Sequence, residues 1–597
     1  MGPSTEDVSA PVVGDAVVGG STYKRTAADE ETSMTEFEDN LTKAAFVDWP
    51  IDAGFEGLTE HRKPVELVVK GNIPAWAAGS LYRTGPGGSS VEDTRNGTLK
   101  ISHWFDGLAQ MHRFDILVPE RSSSEDFGQV RVVYSSRCQA DEFVKRIKDA
   151  GCIPSASFAQ RADPCVGMFG KFMAMFRRRG QLYTNIGVTI NTNMAAFRNI
   201  ANTSQGETSG HRARASNIFI GSDLPLFAQA DPETMEAIAY IPHTALHPKL
   251  KGRIGPAHGM QDPETGDYFS FNLELGAAST YRIFQVSTDT GSTTILATIA
   301  SKAAYIHSFF LTEQYVVLCI PVAHYQWNGA KILWKGTLLD SIAPFDESKK
   351  CHWFIVDRRN GKGVVARFTS PAAFFFHTSN AFEDKDTGDV ICEVVQYPNL
   401  SIMRGMYYDI LLNRDNKARE FWSDGPKSNL MATLVRYRFC IDDFHESQDK
   451  RSELPSPEVI IRVSAPHIGD LPTINEAYAC RKHRFTYSMA SRGLSTLFDS
   501  ISKIDCETRE VLIWSAPQAH SPSEAIFVPR PSVDTEAHAA DEDDGVLLSV
   551  VLDGVNKSSY LLCLDAKTMT ELGRAECEFA VAMTLHGQHV KGGELGL

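Results

Sequence analysis

Four histidines stand out by what surrounds them. His258 lies in GPAHGMQDPETGDYFSF, His307 in AYIHSFFLTEQYVVLCI, His377 in FFFHTSNAFED and His586 in AMTLHGQHV. The last three sit within apolar, strand-like runs, and His258 opens one. An imidazole in such a place needs a partner, because an unsatisfied polar group out of water is costly. Backbone can serve, and so can a metal ion bound to the neutral ring. The separations are 49 residues (258 to 307), 70 (307 to 377) and 209 (377 to 586). They exclude a compact local metal motif and permit ligands from distant elements meeting at one point. Other candidate chemistry is weaker. Gly85, Gly87 and Gly88 resemble a phosphate loop, but no GK[ST] follows, so a tight turn is expected. The 11 cysteines form no CxxC pair, which argues against a zinc ribbon or a disulfide framework and for free thiols in a reducing compartment.

Elements that could carry such residues recur along the chain. Asp, a few turn residues, then an apolar β-branched run appear at Asp231, Asp262, Asp289, Asp357, Asp384, Asp505 and Asp565. Asp bonds its own backbone in turns, and a β-rich run after it reads as a hairpin. Many hairpins in one long all-β chain suggest a β-propeller, with a set of sandwiches as the alternative. Residues 1–44 are rich in Ser, Thr, Asp and Glu and read as a disordered acidic tail, leaving 45–597 as a single domain. Polar stretches at 202–210 and 534–544 read as surface loops. No basic leader followed by an apolar core opens the chain, and no apolar run approaches the ~20 residues that span a bilayer. The net charge of −15 argues against nucleic acid as a partner.

The phrases GSLYRTGPGG from Gly79, SHWFDG from Ser102, YIHSFFLT from Tyr305, FHTSNAFED from Phe376 and DGVLLSVV from Asp544 resemble the signatures of carotenoid cleavage oxygenases. They occur in the family's order, from about residue 46 to the end. The resemblance implies a seven-bladed β-propeller with a cap of loops and short helices over an axial site. It also implies one Fe2+ per chain held by His258, His307, His377 and His586, with O2 as co-substrate. The family orients three of these histidines with carboxylates, which fix the ring tautomer. Glu524 matches one position. Asp470 falls on a second, one methylene short of the usual Glu, so a longer or water-mediated bond is expected. The third falls near Ser222 or Asp223. His103 and Asp106 are read as scaffold.

The implied reaction is oxidative cleavage of a conjugated C=C bond to two carbonyl fragments. The stretches SHWFDGLAQMHRF and CEVVQYPNLSIMRGMYYDILLNR look like fungal enzymes that cleave torulene or apocarotenals. The alternatives are a stilbenoid-cleaving oxygenase, a retinoid-type isomerohydrolase, and a silent propeller that binds an apolar ligand. The stilbenoid pattern is weak here, with only Lys145 near the expected lysine. The segment 163–180 combines Met168, Phe169, Phe172, Met173, Met175 and Phe176 with Lys171 and Arg177 to Arg179. It reads as a surface that dips into a membrane, with Cys165 as an acylation candidate. A cytoplasmic, peripherally membrane-associated protein with an apolar small-molecule substrate is the expectation.

Overall fold

The computed structural model describes residues 19–44, 46–118, 130–161, 184–200, 215–424, 430–449, 453–531 and 541–592. The 163–180 segment, with Cys165, and the 202–210 loop lie outside these residues. The hairpins begin as the Asp pattern predicts. In six of the seven, the Asp side chain accepts backbone N–H groups two or three residues on, as at Asp565, which takes Lys567 N at 3.0 Å and Thr568 N at 2.8 Å. Asp289 does not take this role; its turn closes through Ser287 instead.

The hairpins assemble into seven antiparallel blades. Five are separate four-stranded sheets. Their innermost strands are Thr189–Thr192, Met260–Gln261, Phe310–Leu311, Phe374–Glu383 and Phe485–Ala490. The other two blades share one larger sheet. The first runs from His586–Lys591 through Gly79–Pro86 and Ala109–Leu117 to Arg131–Cys138. The seventh runs from Ile526–Pro529 through Gly545–Asp553 and Ser558–Asp565 to Glu571–Glu576. The strand Val65–Gly71 joins them, pairing Val65, Glu66 and Leu67 with the first blade and residues 68–71 with the seventh. Each blade alternates buried side chains over its neighbour, and the apolar clusters lie between blades. A cap of loops and short helices, including Ser401–Gly405, Tyr408–Leu411 and Lys417–Ser423, buries Trp49, Phe55, Trp104 and Tyr408 over one end.

The expected disordered tail does not extend to residue 44. Ser21–Arg25 is the outer strand of the sixth blade, paired with Val511–Ser515. Helix α1 (Glu30–Ala44) follows, entered through Thr26, whose N–H and hydroxyl both reach Asp29 Oδ2. Average composition hid a stripe at Met34, Phe37 and Leu41, which packs this polar helix onto Met431 and Ala465. The ten cysteines among the described residues are free.

Between the fifth and sixth blades lies a fully buried ionic network. Arg436 meets Glu393 Oε2 at 2.7 Å, His483 Nε2 lies 3.1 Å from Oε1, and Thr486 donates to the same oxygen at 2.6 Å. Burial pushes the Glu393 carboxyl up, but Arg436 and His483 outweigh it and hold its pKa well below the glutamate value. A carboxyl depressed on folding stabilises above its unfolded pKa, near ~4.3, and loses that contribution as pH falls toward its folded pKa. Glu393→Gln is therefore expected to cost about 3–5 kcal/mol at pH 7, since it strands Arg436 in the interior. The deficit should shrink as the pH is lowered below about 4. Denaturant titrations of both proteins at the two pH values check this.

A four-histidine centre on the propeller axis

Each blade sends one residue to the axis. His258 precedes the inner strand of the third blade and His307 that of the fourth. His377 lies within the inner strand of the fifth, and His586 opens that of the first. Asp223 sits in a turn of the second blade, Asp470 at the entry to the sixth, and Glu524 before the inner strand of the seventh. One ring nitrogen from each of the four histidines falls within 4.8 Å of the others. The sequence thus named four residues, up to 328 positions apart (586 minus 258), that the fold brings to one point.

The carboxylates fix the rings. His307 Nδ1 meets Asp223 Oδ1 at 2.9 Å, His377 Nδ1 meets Asp470 Oδ1 at 2.7 Å, and His586 Nδ1 meets Glu524 Oε1 at 2.7 Å. With the proton held at Nδ1, each Nε2 presents a lone pair to the axis. The expectation of a long or water-mediated bond from Asp470 fails. Asp470 reaches His377 directly, and Leu471 N donates to the same carboxylate oxygen at 2.8 Å. The third carboxylate resolves to Asp223, with Ser222 beside it unused for this role.

Three supporting side chains and one backbone donor were missed at the sequence level. Tyr305 donates to Asp223 Oδ2 at 3.0 Å and Tyr397 to Asp470 Oδ2 at 2.9 Å. Arg83 contacts Glu524 Oε2 at 3.1 Å, and Gly587 N donates to the same oxygen at 2.8 Å. Burial pushes both tyrosines well above the usual phenol pKa, so they remain donors. The signal for Tyr305 was present, since residues two apart on extended chain share a side with His307. Tyr397 and Arg83 gave none, because their partners lie 73 and 441 residues away.

The centre suits a cation. His377 Nε2 and His586 Nε2 lie 3.1 Å apart, with both Nδ1 atoms committed to carboxylates. Two lone pairs that close repel unless something positive lies between them. His258 Nε2 is buried without a hydrogen-bond partner. Burial, reinforced by the other three rings, holds the His258 pKa well below its usual value, and burial also lowers that of His586. Neutral imidazoles are what a metal ligand requires. The other grouping of possible ligands, Glu393, His483 and Cys506, already holds the Arg436 guanidinium and does not share this property.

A cavity adjoins the histidines. It is lined by His307, His377 and His586 and mostly by apolar and aromatic side chains, among them Phe105, Phe158, Phe376, Leu224 and Ile468, with Asp223 and Asp470 beside the histidines and no lysine or arginine among the described residues. The Phe376 ring stands edge-on to His307 at 5.6 Å and to Phe105 at 5.7 Å. Lys145 lies on an exposed helix outside this lining. His103 spends both ring nitrogens on Met403 O and Phe105 N, and Asp106 accepts from Phe158 N and Ala159 N. They act as the scaffold of the cavity wall, as expected.

The family described as retinal pigment epithelial membrane protein matches residues 54–591. A carotenoid dioxygenase of Neurospora crassa is 44% identical over 98% of this chain and 97% of its own length. A torulene dioxygenase of Gibberella fujikuroi is 43% identical over 96% and 99%. Among solved structures, a variant of the Synechocystis apocarotenoid oxygenase superposes with a TM-score of 0.67 at 20% identity, over 92% of this chain and 99% of that one. A cobalt-substituted form of that enzyme gives 0.65 at 19%, with the same coverage.

Proposed function

This chain belongs to the carotenoid oxygenase family, and from that premise we propose that it is a non-haem iron dioxygenase cleaving a conjugated C=C bond of a carotenoid or apocarotenoid, torulene-like in its polyene, into aldehydes. The observation that carries the reading is a quartet of histidine rings converging beside a mostly apolar, aromatic cavity. His258, His307, His377 and His586 would hold one Fe2+, which supplies the one-electron chemistry that lets triplet O2 react with a closed-shell alkene. Both oxygen atoms enter product, one on each carbon of the broken bond.

The residues present do the rest. Asp223, Asp470 and Glu524 keep protons on Nδ1, so the Nε2 atoms stay available as ligands. Phe105, Phe158 and Phe376 offer ring edges and faces that hold a flat polyene in line with the histidines and exclude water. A phenolic stilbenoid would gain no ammonium partner among the described residues, because Lys145 is outside the lining. The propeller, with the Ser21–Arg25 strand and α1 built into it, would act as one catalytic unit.

A carotenoid is delivered from a membrane, and the chain supports peripheral contact. No helix among the described residues is long and apolar enough to cross a bilayer. Trp327 (65% exposed), Leu333 (41%) and Trp334 (50%) stand out beside Lys331 and Lys335. That is the aromatic and basic mixture that settles at an interface. The same segment runs on to Leu338, which lines the cavity. The 163–180 segment, apolar and basic in sequence, is a further candidate for such contact, with Cys165 as the candidate anchor.

The test is turnover of Fe(II)-reconstituted protein with torulene, apocarotenals and stilbenoids, following O2 uptake and products together. One O2 consumed per two carbonyl fragments, from polyenes and not from stilbenoids, is the expected result. Isomerised product without O2 uptake, or polyene binding without reaction by iron-loaded protein, would overturn it.

A further inference from the structure

We propose that helix α1 is a wall of the substrate cavity, and that Phe37, packed on Trp422, determines which polyene end group the cavity accepts. The inference rests on the carotenoid reading above. Phe37 and Trp422 line the same cavity as His307, His377 and His586. Their ring centroids are 6.0 Å apart, and Phe37 is buried. Behind Phe37 lies a second, smaller pocket of different character, lined by Ser33, Glu36, Asn40, His467 and Arg492. Phe37, Pro466 and Ser491 border both. Phe37, together with Pro466 and Ser491, therefore stands between an apolar cavity and one of mixed polarity.

The partition is fixed in place rather than draped over the surface. The strand Ser21–Arg25 ties the start of this segment into the sixth blade. Ser33 Oγ lies 3.0 Å from His467 Nε2, and Asn40 Nδ2 donates to Arg492 O at 2.8 Å. Gly493, at φ +83°, lets the helix come close, since a Cβ there would lie 2.5 Å from Phe37 O. Polyenes share their conjugated middle and differ at their ends, in ring, length and oxygenation. The bond to be cut must lie by the histidines, so an end group is what a wall elsewhere in the cavity can read.

The test compares the full-length wild type with Phe37→Ala, Phe37→Leu and Leu41→Ala. Leu41 packs the same helix but does not line the cavity. Each protein is given a short open-ended apocarotenal and a longer one with a bulky ring. The readouts are kcat/KM for both, and binding of both to metal-free protein by quenching of tryptophan fluorescence. Phe37→Ala should raise the long-to-short ratio about tenfold in both readouts, the size of effect a pocket gains from removing a few methylene equivalents. Phe37→Leu should fall between, and Leu41→Ala should lower the Tm while leaving the ratio unchanged. An unchanged ratio in Phe37→Ala with wild-type turnover intact, or an equal shift in Leu41→Ala, would overturn the wall. Wild-type protein that binds neither polyene would overturn the carotenoid reading and the wall with it.

Discussion

His307→Ala, purified without oxygen and then reconstituted with Fe(II), is expected to retain less than about a tenth of the wild-type iron and no measurable cleavage activity. Loss of a residue that merely orients a ligand commonly weakens metal binding 10–100-fold, and loss of the ligand itself costs at least as much. Here the substitution removes one imidazole of four and also strands its support. Asp223 Oδ1 loses the His307 Nδ1 proton it accepts at 2.9 Å and keeps only the Tyr305 hydroxyl on Oδ2. A carboxylate left without its charge-assisted partner will seek water, and the axis loosens. His445→Ala, at an exposed site on the helix Ile441–Asp449, is the control and should keep its iron. Metal analysis of both proteins by mass spectrometry decides the matter. Equal iron in His307→Ala and wild type would remove the four-histidine assignment.

Glu524→Gln should damage the protein in two separable ways. Glu524 accepts from His586 Nδ1 through one oxygen and from Gly587 N and Arg83 through the other. Arg83 is 1% exposed, and its other bonds go to Thr584 Oγ1 and Glu524 O. Neutralising the carboxylate leaves a buried guanidinium without its counter-charge, which costs about 3–5 kcal/mol. That loss does not depend on metal and should appear in urea unfolding of the metal-free protein. The second effect is on the ligand. Without a carboxylate on Nδ1, His586 is a weaker base, and iron affinity should fall about 10–100-fold. A stability loss seen only in the iron-loaded protein would show that the Arg83 pair contributes nothing of its own.

The histidines were legible because the phrases around them resemble the family's signatures; their spacing by itself only permitted distant strands to meet on one axis. The carboxylates were less so. Ser222 and Asp223 are neighbours in a turn, and which side chain faces inward depends on the loop path, pinned here by Gly255 N donating to Asp223 O. Asp470 looked a methylene short, yet the backbone path sets it 2.7 Å from His377, which its type in sequence did not reveal. Tyr397 could not be matched to Asp470, since nothing local links a blade-five strand to the entry of blade six. The N-terminal segment misled for another reason: three apolar side chains among fifteen helix residues suffice to dock α1 when strand Ser21–Arg25 holds it in register.

The large sheet shared by the first and last blades has a mechanical meaning. A ring of blades is weakest at its seam, where the chain's two ends must be kept together without a covalent link. This seam is stitched twice, at different radii. Near the axis, His586–Lys591 lies along Gly79–Pro86; at the rim, Val65–Gly71 divides its pairing between the two blades. Prising the ring open there would have to break both rows of hydrogen bonds together, so the ring behaves as a closed hoop under radial load. A hoop does not widen at its centre when its rim is disturbed. The loops and short helices of the cap can therefore shift as a bulky polyene enters, while the seven inner residues keep their spacing.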